Sequence, residues 1–404
     1  MQSKGRFGER IQAASASSSS SASVVEASLI VTSRSPGWSA SPIATLTPLT
    51  CVEIKFWAPH HRLVAFHTAA RHAVDRRRDP DHYARRLAQG EWLRLVDTYG
   101  YGADILDALN YGLGPISDSL TGDPLRQERR RRRTLAAGLL VPVERGAVAI
   151  RGADPILLLN DLYRDVDRFW LPLVDIQALR TADRRFRQGV PYSVLGHALH
   201  PWYGTYAPKR TEHLELFGTW LSAYGGLKDT AIDVGTGCGV LAFMLARAGF
   251  ADVRAVDVNP NAVESVRRDL ARQAERPAIR VRTSNLLEVV RQPADLIVFN
   301  PPWIAGIVDD PLDTALFYDD DLFERFFDES SGLLNPQGKV VLVFSNVLTL
   351  LRPDLPHPIE AELERGRFVL DTHLTRRVRA TRGRKTREKV EIWVLSSVEA
   401  DADH

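Results

Sequence analysis

The sequence predicts an α/β protein: a doubly wound domain with a mostly parallel sheet, preceded by a mainly helical accessory domain. Two observations predict this class. After residue 203, short apolar runs alternate with amphipathic stretches, which is typical of alternating strands and helices. Before residue 200, apolar residues recur mainly at helical spacing. The expected segments are a Ser/Ala-rich tail (1–50), the accessory domain (51–200), the α/β domain (201–398) and a short tail (399–404).

The composition places few limits on function. The chain has 404 residues, of which 44% are hydrophobic and 25% charged, so it can bury one or two cores. The formal net charge of +2 favours neither an acidic nor a basic partner. Cys51 and Cys238 lack metal-ligand spacing, which argues against zinc and against a disulfide framework. A reducing cytoplasm is therefore the expected compartment, and no apolar run is long enough for a membrane helix.

The first segments are expected to be a disordered tail and then helices. Residues 13–28 are almost entirely serine and alanine, which supply too little apolar surface for folding. Residues 60–77 and 81–100 have apolar residues at helical spacing, and we expect a helix in each. The histidines in these stretches match no metal-ligand pattern, so solvated or core histidines are favoured.

An arginine-rich run follows at 126–133, and after it come two β-like runs, "GLLVPV" and "GAVAI", around a turn. Helix followed by hairpin is the order found in a winged-helix module. The arginine run fits two interpretations: a phosphate-binding surface, or a solvated helix face.

The α/β domain begins with a strand, "TAIDV", followed by a glycine-rich turn and an amphipathic helix. The turn contains Asp233, Gly235, Thr236, Gly237 and Gly239. A dinucleotide-binding turn would place its third glycine where Val240 stands, and a carboxylate beside the turn would repel a pyrophosphate. The pattern therefore disfavours a dinucleotide-dependent oxidoreductase, the first alternative function.

An acidic residue also ends the second strand, "AVDV". Asp257 lies about 20 residues after the glycine turn, the distance at which a carboxylate can accept hydrogen bonds from two ribose hydroxyls. Val258 and Asn259 follow it directly and are candidate ligand contacts. Further strand candidates are "IRVRTSN", "ADLIVFN", "GKVVLVFSN" and "VEIWVLS".

Three motifs in this order, "DVGTGCG", "AVDVNPNAV" and "DLIVFNPPW", resemble the class I S-adenosylmethionine-dependent methyltransferases. The nearest resemblance is to the methyltransferase small domain group, which includes HemK-like glutamine methyltransferases and ribosomal-RNA base methyltransferases. It covers about residues 203–398. It implies a Rossmann-like sheet of seven strands whose last strand, here "VEIWVLS", is antiparallel, and S-adenosylmethionine as the cofactor.

The same resemblance implies which residues would contact that cofactor. Residues 233–239 would face its methionine part, Asp257 its ribose, and Asn285 with Leu286 its adenine. In HemK-like proteins a Pro-Arg-Pro-Glu-Thr-Glu stretch precedes the domain. The corresponding "APKRTEHLELF" is shorter, which weakens a transfer of the release-factor substrate to this chain.

The fourth strand candidate ends in the catalytic candidates Asn300, Pro301, Pro302 and Trp303. The Asn300 side-chain carbonyl and the Pro301 backbone carbonyl can accept both hydrogens of one planar NH2 group. That arrangement aims the nitrogen lone pair at a methyl donor, and the Trp303 ring offers a stacking face. The prolines fix the backbone and offer no competing N–H.

The identity of the acceptor stays open between several classes. A protein glutamine and a nucleic-acid base (adenine N6 or guanine N2) are nearly even alternatives, and a small molecule is a lesser one. Acidic residues at 309–321 disfavour a phosphate backbone, whereas the basic run 376–389 favours one. A non-catalytic S-adenosylmethionine-binding or RNA-binding module is the remaining class.

Overall fold

The computed structural model describes most of the chain beyond the amino-terminal tail. The described residues are 72–117, 122–305, 317–318, 321–379 and 387–398. Both predicted tails and the first part of the predicted 60–77 helix lie outside them. None of the helices within these ranges has the length and apolarity needed to cross a membrane.

Within its described residues, the segment predicted as the accessory domain contains five helices and a five-stranded sheet. Its elements are β1 (His72–Val74), α1 (Pro80–Ala88), β2 (Leu93–Leu95), α2 (Tyr99–Gly112), α3 (Gly122–Ala136), β3 (Leu139–Glu144), β4 (Ala147–Val148), α4 (Leu158–Leu162), β5 (Arg168–Pro172) and α5 (Leu173–Gln188). β1, β2 and β3 are parallel neighbours, while β4 and β5 pair antiparallel with β3.

Two parts of the predicted helices are strands. Residues 72–74 form β1, and the predicted 81–100 helix ends at Ala88 before β2. Val74 and Leu93 are fully buried in this sheet, so pairing between distant segments overrides the local helical spacing. The predicted order of a helix and then a hairpin is present as α3, β3 and β4. Because β3 also pairs with β2 and β5, the hairpin is part of a larger sheet, and a winged-helix role stays a prediction.

The α/β domain contains the predicted doubly wound sheet. Its elements are β6 (Val190–Tyr192), β7 (His197–Leu199), α6 (Glu212–Ala223), β8 (Thr230–Val234), α7 (Val240–Arg247), β9 (Asp252–Asp257), α8 (Pro260–Arg272), β10 (Ile279–Thr283), β11 (Ala294–Phe299), β12 (Ile304–Ala305), β13 (Phe317–Tyr318), α9 (Leu322–Ser331), β14 (Leu334–Ser345), α10 (Val347–Leu351), α11 (Pro358–Arg365), β15 (Phe368–Arg377) and β16 (Lys389–Ser397).

The seven strands of the main sheet follow the order β10-β9-β8-β11-β14-β16-β15. The first five are parallel, and β16 is antiparallel to both of its neighbours. The predicted fold and the predicted direction of the last strand are therefore confirmed. Since the strand order reverses beside β8, the carboxyl ends of β8 and β11 flank the crevice where ligands bind in such sheets.

Apolar side chains fill both faces of this sheet. One face packs on α6, α7 and α8, and includes Phe217 and Leu241. The other packs on α9 and α11, and includes Phe326 and Ile359. The short hairpin of β6 and β7 packs into the first of these cores, so it shares a core with the α/β sheet although it precedes α6.

Helix α8 joins the two predicted domains, which belong to one compact unit. The Arg268 guanidinium lies 3.8 Å from the centre of the Trp202 ring, and Arg268 Nη1 lies 3.1 Å from an Asp161 carboxylate oxygen on α4. The backbone N–H of Trp202 donates a 3.1 Å hydrogen bond to the Ser265 hydroxyl of α8. Stacking, ion pairing and hydrogen bonding thus hold the accessory domain against this helix.

Candidate active site

A cavity of about 500 Å³ opens at the carboxyl ends of β8, β9 and β11. It brings together most of the predicted site residues from three motifs. Those that line it are Gly235, Thr236, Gly237, Asp257, Val258, Asn259, Asn285, Leu286, Asn300, Pro301, Pro302 and Trp303. Asp233 and Gly239 lie outside the lining. The motifs therefore meet in space although about 70 residues separate the first from the last.

The glycine turn needs glycine because its backbone is left-handed. Gly235, Gly237 and Gly239 have φ angles of 64°, 53° and 89°, a region that L side chains rarely adopt. A Cβ on Gly239 would also lie 2.9 Å from Val266 Cγ2. The turn is therefore closely packed on α8 where it enters α7.

Asp233 holds this turn from behind. The side chain is fully buried, and its Oδ2 accepts hydrogen bonds from Thr236 Oγ1 (2.6 Å) and from the Ala242 backbone N–H (3.0 Å). Oδ1 has no hydrogen-bond partner among the described residues. Burial raises the pKa of this carboxyl to about 7, against the opposing effect of the two hydrogen bonds. The structure thus gives Asp233 a role in positioning the turn, and a direct ligand contact stays a prediction.

Asp257 faces the cavity from the end of β9. Its two oxygens accept backbone hydrogen bonds of 2.8 Å, one from Gly237 and one from Asn259. Burial raises the pKa of this carboxyl to about 6, although both hydrogen bonds favour the ionised form. Each carboxylate oxygen can accept a further bond, so two neighbouring hydroxyl groups of a ligand can be held here.

The next lining segment has unusual backbone geometry. Leu286 is left-handed, with φ of 47°, although it carries a branched side chain. Its side chain is 7% exposed, while that of the adjacent Asn285 is exposed and donates a 2.9 Å hydrogen bond to Glu288. Non-glycine residues in this conformation concentrate at ligand sites. Leu286 therefore offers an apolar surface and Asn285 a polar edge at this end of the cavity.

The residues predicted to bind the methyl acceptor directly follow β11. Trp303 Nε1 donates to Asn300 Oδ1 at 3.2 Å and is also 3.2 Å from the Val343 carbonyl oxygen. The indole N–H is only a donor, so it orients the oxygen of the Asn300 carboxamide toward itself. A carboxamide oxygen has two lone pairs, and one stays available to a ligand.

A buried histidine backs the tryptophan. The His213 ring meets the Trp303 ring edge to face, with 5.4 Å between the centres. His213 is 2% exposed, and neither of its ring nitrogens has a partner among the described residues. Burial lowers its pKa to about 4, so the imidazole is neutral at physiological pH. The Trp303 indole therefore packs against a neutral imidazole.

Several lining residues were not among the site residues predicted from the sequence. They are Tyr206, Pro208, Tyr318, Arg325, Val347 and Glu388. These residues come from segments outside the three motifs, so no local spacing connects them with the site. Two of them lie in stretches that the sequence singled out: Pro208 in "APKRTEHLELF" and Glu388 in the basic run 376–389. Across the described ranges, no group of three or more His, Cys, Asp or Glu side chains is placed to hold a metal ion.

Part of the chain is similar to known proteins. Residues 216–358 match the model of the methyltransferase small domain. A ribosomal protein L11 methyltransferase from Bacillus cytotoxicus is 44% identical over 72 residues, which cover 18% of this chain and 23% of that protein. A tRNA1(Val) (adenine(37)-N6)-methyltransferase from Porphyromonas gingivalis is 31% identical over 140 residues, covering 32% and 55%. The chain thus spans about a quarter to about half of the length of these relatives.

Solved structures resemble the chain over about half of its length. A ribosomal protein L11 methylase from Lactobacillus delbrueckii subsp. bulgaricus covers 48% of this chain and 81% of its own, at 21% identity and a TM-score of 0.34. A protein described as a putative RNA methyltransferase from Pyrococcus horikoshii covers 55% of this chain and 99% of its own, at 18% identity and a TM-score of 0.35.

Proposed function

We propose that the chain transfers a methyl group from S-adenosylmethionine to a planar NH2 nitrogen, a function supported by the match of residues 216–358 to the methyltransferase small domain model. The observation that carries this proposal is the placement of Asn300 in one cavity with the glycine turn and Asp257. An amide-bearing acceptor site thus adjoins a site with groups suited to a nucleoside.

The lining residues fit S-adenosylmethionine by their chemistry. The Asp257 carboxylate would hold the ribose hydroxyls, the glycine turn would lie against the methionine part, and Asn285 with Leu286 would hold the adenine. No phosphate needs to be accommodated, which agrees with a carboxylate beside the turn. When bound, the cofactor supplies an electrophilic methyl group on a positively charged sulfur.

The acceptor end orients a weak nucleophile. The free lone pair of Asn300 Oδ1 and the Pro301 carbonyl would each accept one N–H of the acceptor NH2 group. Holding both hydrogens fixes the nitrogen and directs its lone pair into the cavity. Among the described lining residues there is no histidine or lysine. The proposed reaction needs no general base before attack, because the acceptor nitrogen is neutral and loses its proton only after methylation.

Two acceptors share this planar NH2 group: a protein glutamine and an exocyclic amine of a nucleic-acid base. One related protein is named for a ribosomal protein, L11, and another for adenine N6 of a tRNA, so the names include a protein and a nucleic acid; the L11 name specifies no acceptor group. The Trp303 ring suits either, because it stacks on any planar group.

Two variants separate transfer from cofactor binding. Asn300→Ala should lose at least about 100-fold in methyl transfer, a typical loss when a reacting group is misplaced, and calorimetry should give an unchanged affinity for S-adenosylmethionine. Asp257→Ala should lose the affinity itself. Methyl-labelled cofactor and an undermethylated cell extract provide the assay, and nuclease or protease treatment identifies the product. Full turnover by Asn300→Ala would refute this function.

A further inference from the structure

One group of exposed cations lies beside the cavity and has no part in the function proposed above. This cationic rim consists of Lys209, Arg377, Arg379, Arg387 and Lys389. All five are exposed, and within the described part of the chain none of them forms a side-chain ion pair. Arg376 and Arg210, their neighbours, are paired with Glu215 and Glu388. Unpaired like charges at one place repel each other, so their clustering favours an anionic partner.

Backbone contacts place the main chain of four rim residues near the cavity mouth. Glu388, which lines the cavity, lies between Arg387 and Lys389 in sequence. Lys389 is the direct sheet partner of Arg377. The Val378 backbone N–H, next to both Arg377 and Arg379, donates a 3.1 Å bond to the Glu388 carbonyl.

The fifth cation reaches the same place from another segment. Lys209 follows Pro208, a lining residue, and the adjacent Arg210 forms a 2.6 Å ion pair with Glu388. That ion pair connects the segment before α6 to the base of the β15–β16 pair. The main chain of all five residues therefore lies near one edge of the opening, and strand alternation turns the side chains of Arg377 and Lys389 to the face of the sheet opposite Glu388.

Acidic and amide groups fix this rim from its inner side. Glu212 Oε1 accepts a 3.2 Å bond from the Arg379 backbone N–H. Asn346 accepts from the Lys389 N–H (2.7 Å) and donates to the Arg387 carbonyl (3.2 Å). These groups hold the main chain and leave the cationic side chains to solvent. The rim is therefore a positioned set of charges.

We propose that the cationic rim binds the phosphate backbone of a single-stranded nucleic acid whose acceptor base enters the cavity. This rests on the proposed function, because the acceptor end must receive a planar amine. A base has to leave its stack to reach a cavity of this kind, which single-stranded segments allow at least cost. The rim would hold the phosphates, and Trp303 would stack on the base. Like charges would repel a basic protein segment.

Salt-dependent binding tests the rim without methyl transfer. The probes are a fluorescein-labelled single-stranded RNA of mixed sequence and the matching DNA, measured by anisotropy between about 50 and 200 mM salt. The test variant carries Arg377→Gln, Arg379→Gln and Arg387→Gln. Each lost phosphate contact lowers the slope of log Kd against log salt by about 0.7, so the three should lower it by about 2. RNA and DNA binding would both support the rim, and the tighter probe identifies its preferred backbone.

A matched variant carries Arg267→Gln, Arg282→Gln and Arg291→Gln, which removes three exposed arginines from α8, β10 and the loop after it. It should keep the wild-type slope. Equal slopes in wild type and test variant would overturn the proposal, as would a methylated product that is a protein. If the triple variant changed the salt slope but the wild type transferred no methyl group, phosphate binding by the rim would be supported and the proposed function would be refuted.

Discussion

At the scale of single residues, the cavity is supported by polar groups whose burial is costly. His213 behind Trp303 and Asp233 behind the glycine turn each leave a polar atom without a partner among the described residues. Native structures contain few such groups, and each one calls for an explanation. Both lie directly behind a wall of the cavity, so we interpret them as a stability cost accepted at the site.

His213→Leu should change how stability depends on pH. The pKa of His213 is lowered to about 4 in the folded protein, whereas it is about 6.5 when unfolded. Between these values the unfolded state binds more protons, so wild-type stability falls as the pH falls from about 6.5 to 4, by up to about 3 kcal/mol. The variant lacks this contribution. Urea unfolding at a series of pH values measures it, and parallel curves for the two proteins would contradict it.

At the scale of elements, the glycine turn couples strand β8 to helix α7 through left-handed backbone. The same turn donates the Gly237 N–H to Asp257 and packs Gly239 on α8. The turn between β8 and α7 therefore also fixes the position of Asp257, the residue predicted to bind the ribose. A change in the turn should be felt in stability and in ligand affinity together.

Gly239→Ala should destabilise the protein by about 1–2 kcal/mol or more, because alanine is strained at φ of 89° and its Cβ would meet Val266. Gly332→Ala is the matched control, since Gly332 has φ of −82° and open space around it. That substitution should be neutral or slightly stabilising. The free energies of unfolding in urea provide the comparison, and equal losses in both variants would argue against strain at the turn.

The elements of the α/β domain were largely predictable, because β8, β9 and β11 are apolar runs that end in turn residues. Strand β15 was missed because its side chains are mostly exposed or half-buried and include Asp371 and His373. In the site, the residues of the three motifs were predicted from the order and spacing of those motifs in the sequence. The left-handed backbone of Leu286 and the position of Glu388 depend on distant segments, and no local pattern encodes them.

At the scale of the whole molecule, α8 connects the cavity to the accessory domain. It begins next to Asn259, a lining residue, and about two turns later Arg268 stacks on Trp202. Asn259 Nδ2 and Asn261 Nδ2 donate to the carbonyls of Gly204 and Tyr203 at 2.8 Å. The segment between the domains is thus bonded to the start of the helix that carries the domain contact.

Arg268→Met should reduce stability by about 1–3 kcal/mol, since it removes a stacked cation and its ion pair with Asp161. Arg267→Met is the control, because Arg267 is an exposed neighbour on the same helix. It should stay within about 0.5 kcal/mol of wild type. Urea unfolding of both variants measures the difference. Similar losses would show that α8 itself, and not the domain contact, is affected.

The hairpin of β6 and β7 has a practical consequence for dissecting this chain. Tyr192, Leu195 and Leu199 are almost completely buried in the core beneath the main sheet. A fragment that started at residue 201 would lose these side chains and expose the apolar surface of α7 to water. An excised α/β fragment should therefore start near Gly189, so that the hairpin still covers its core.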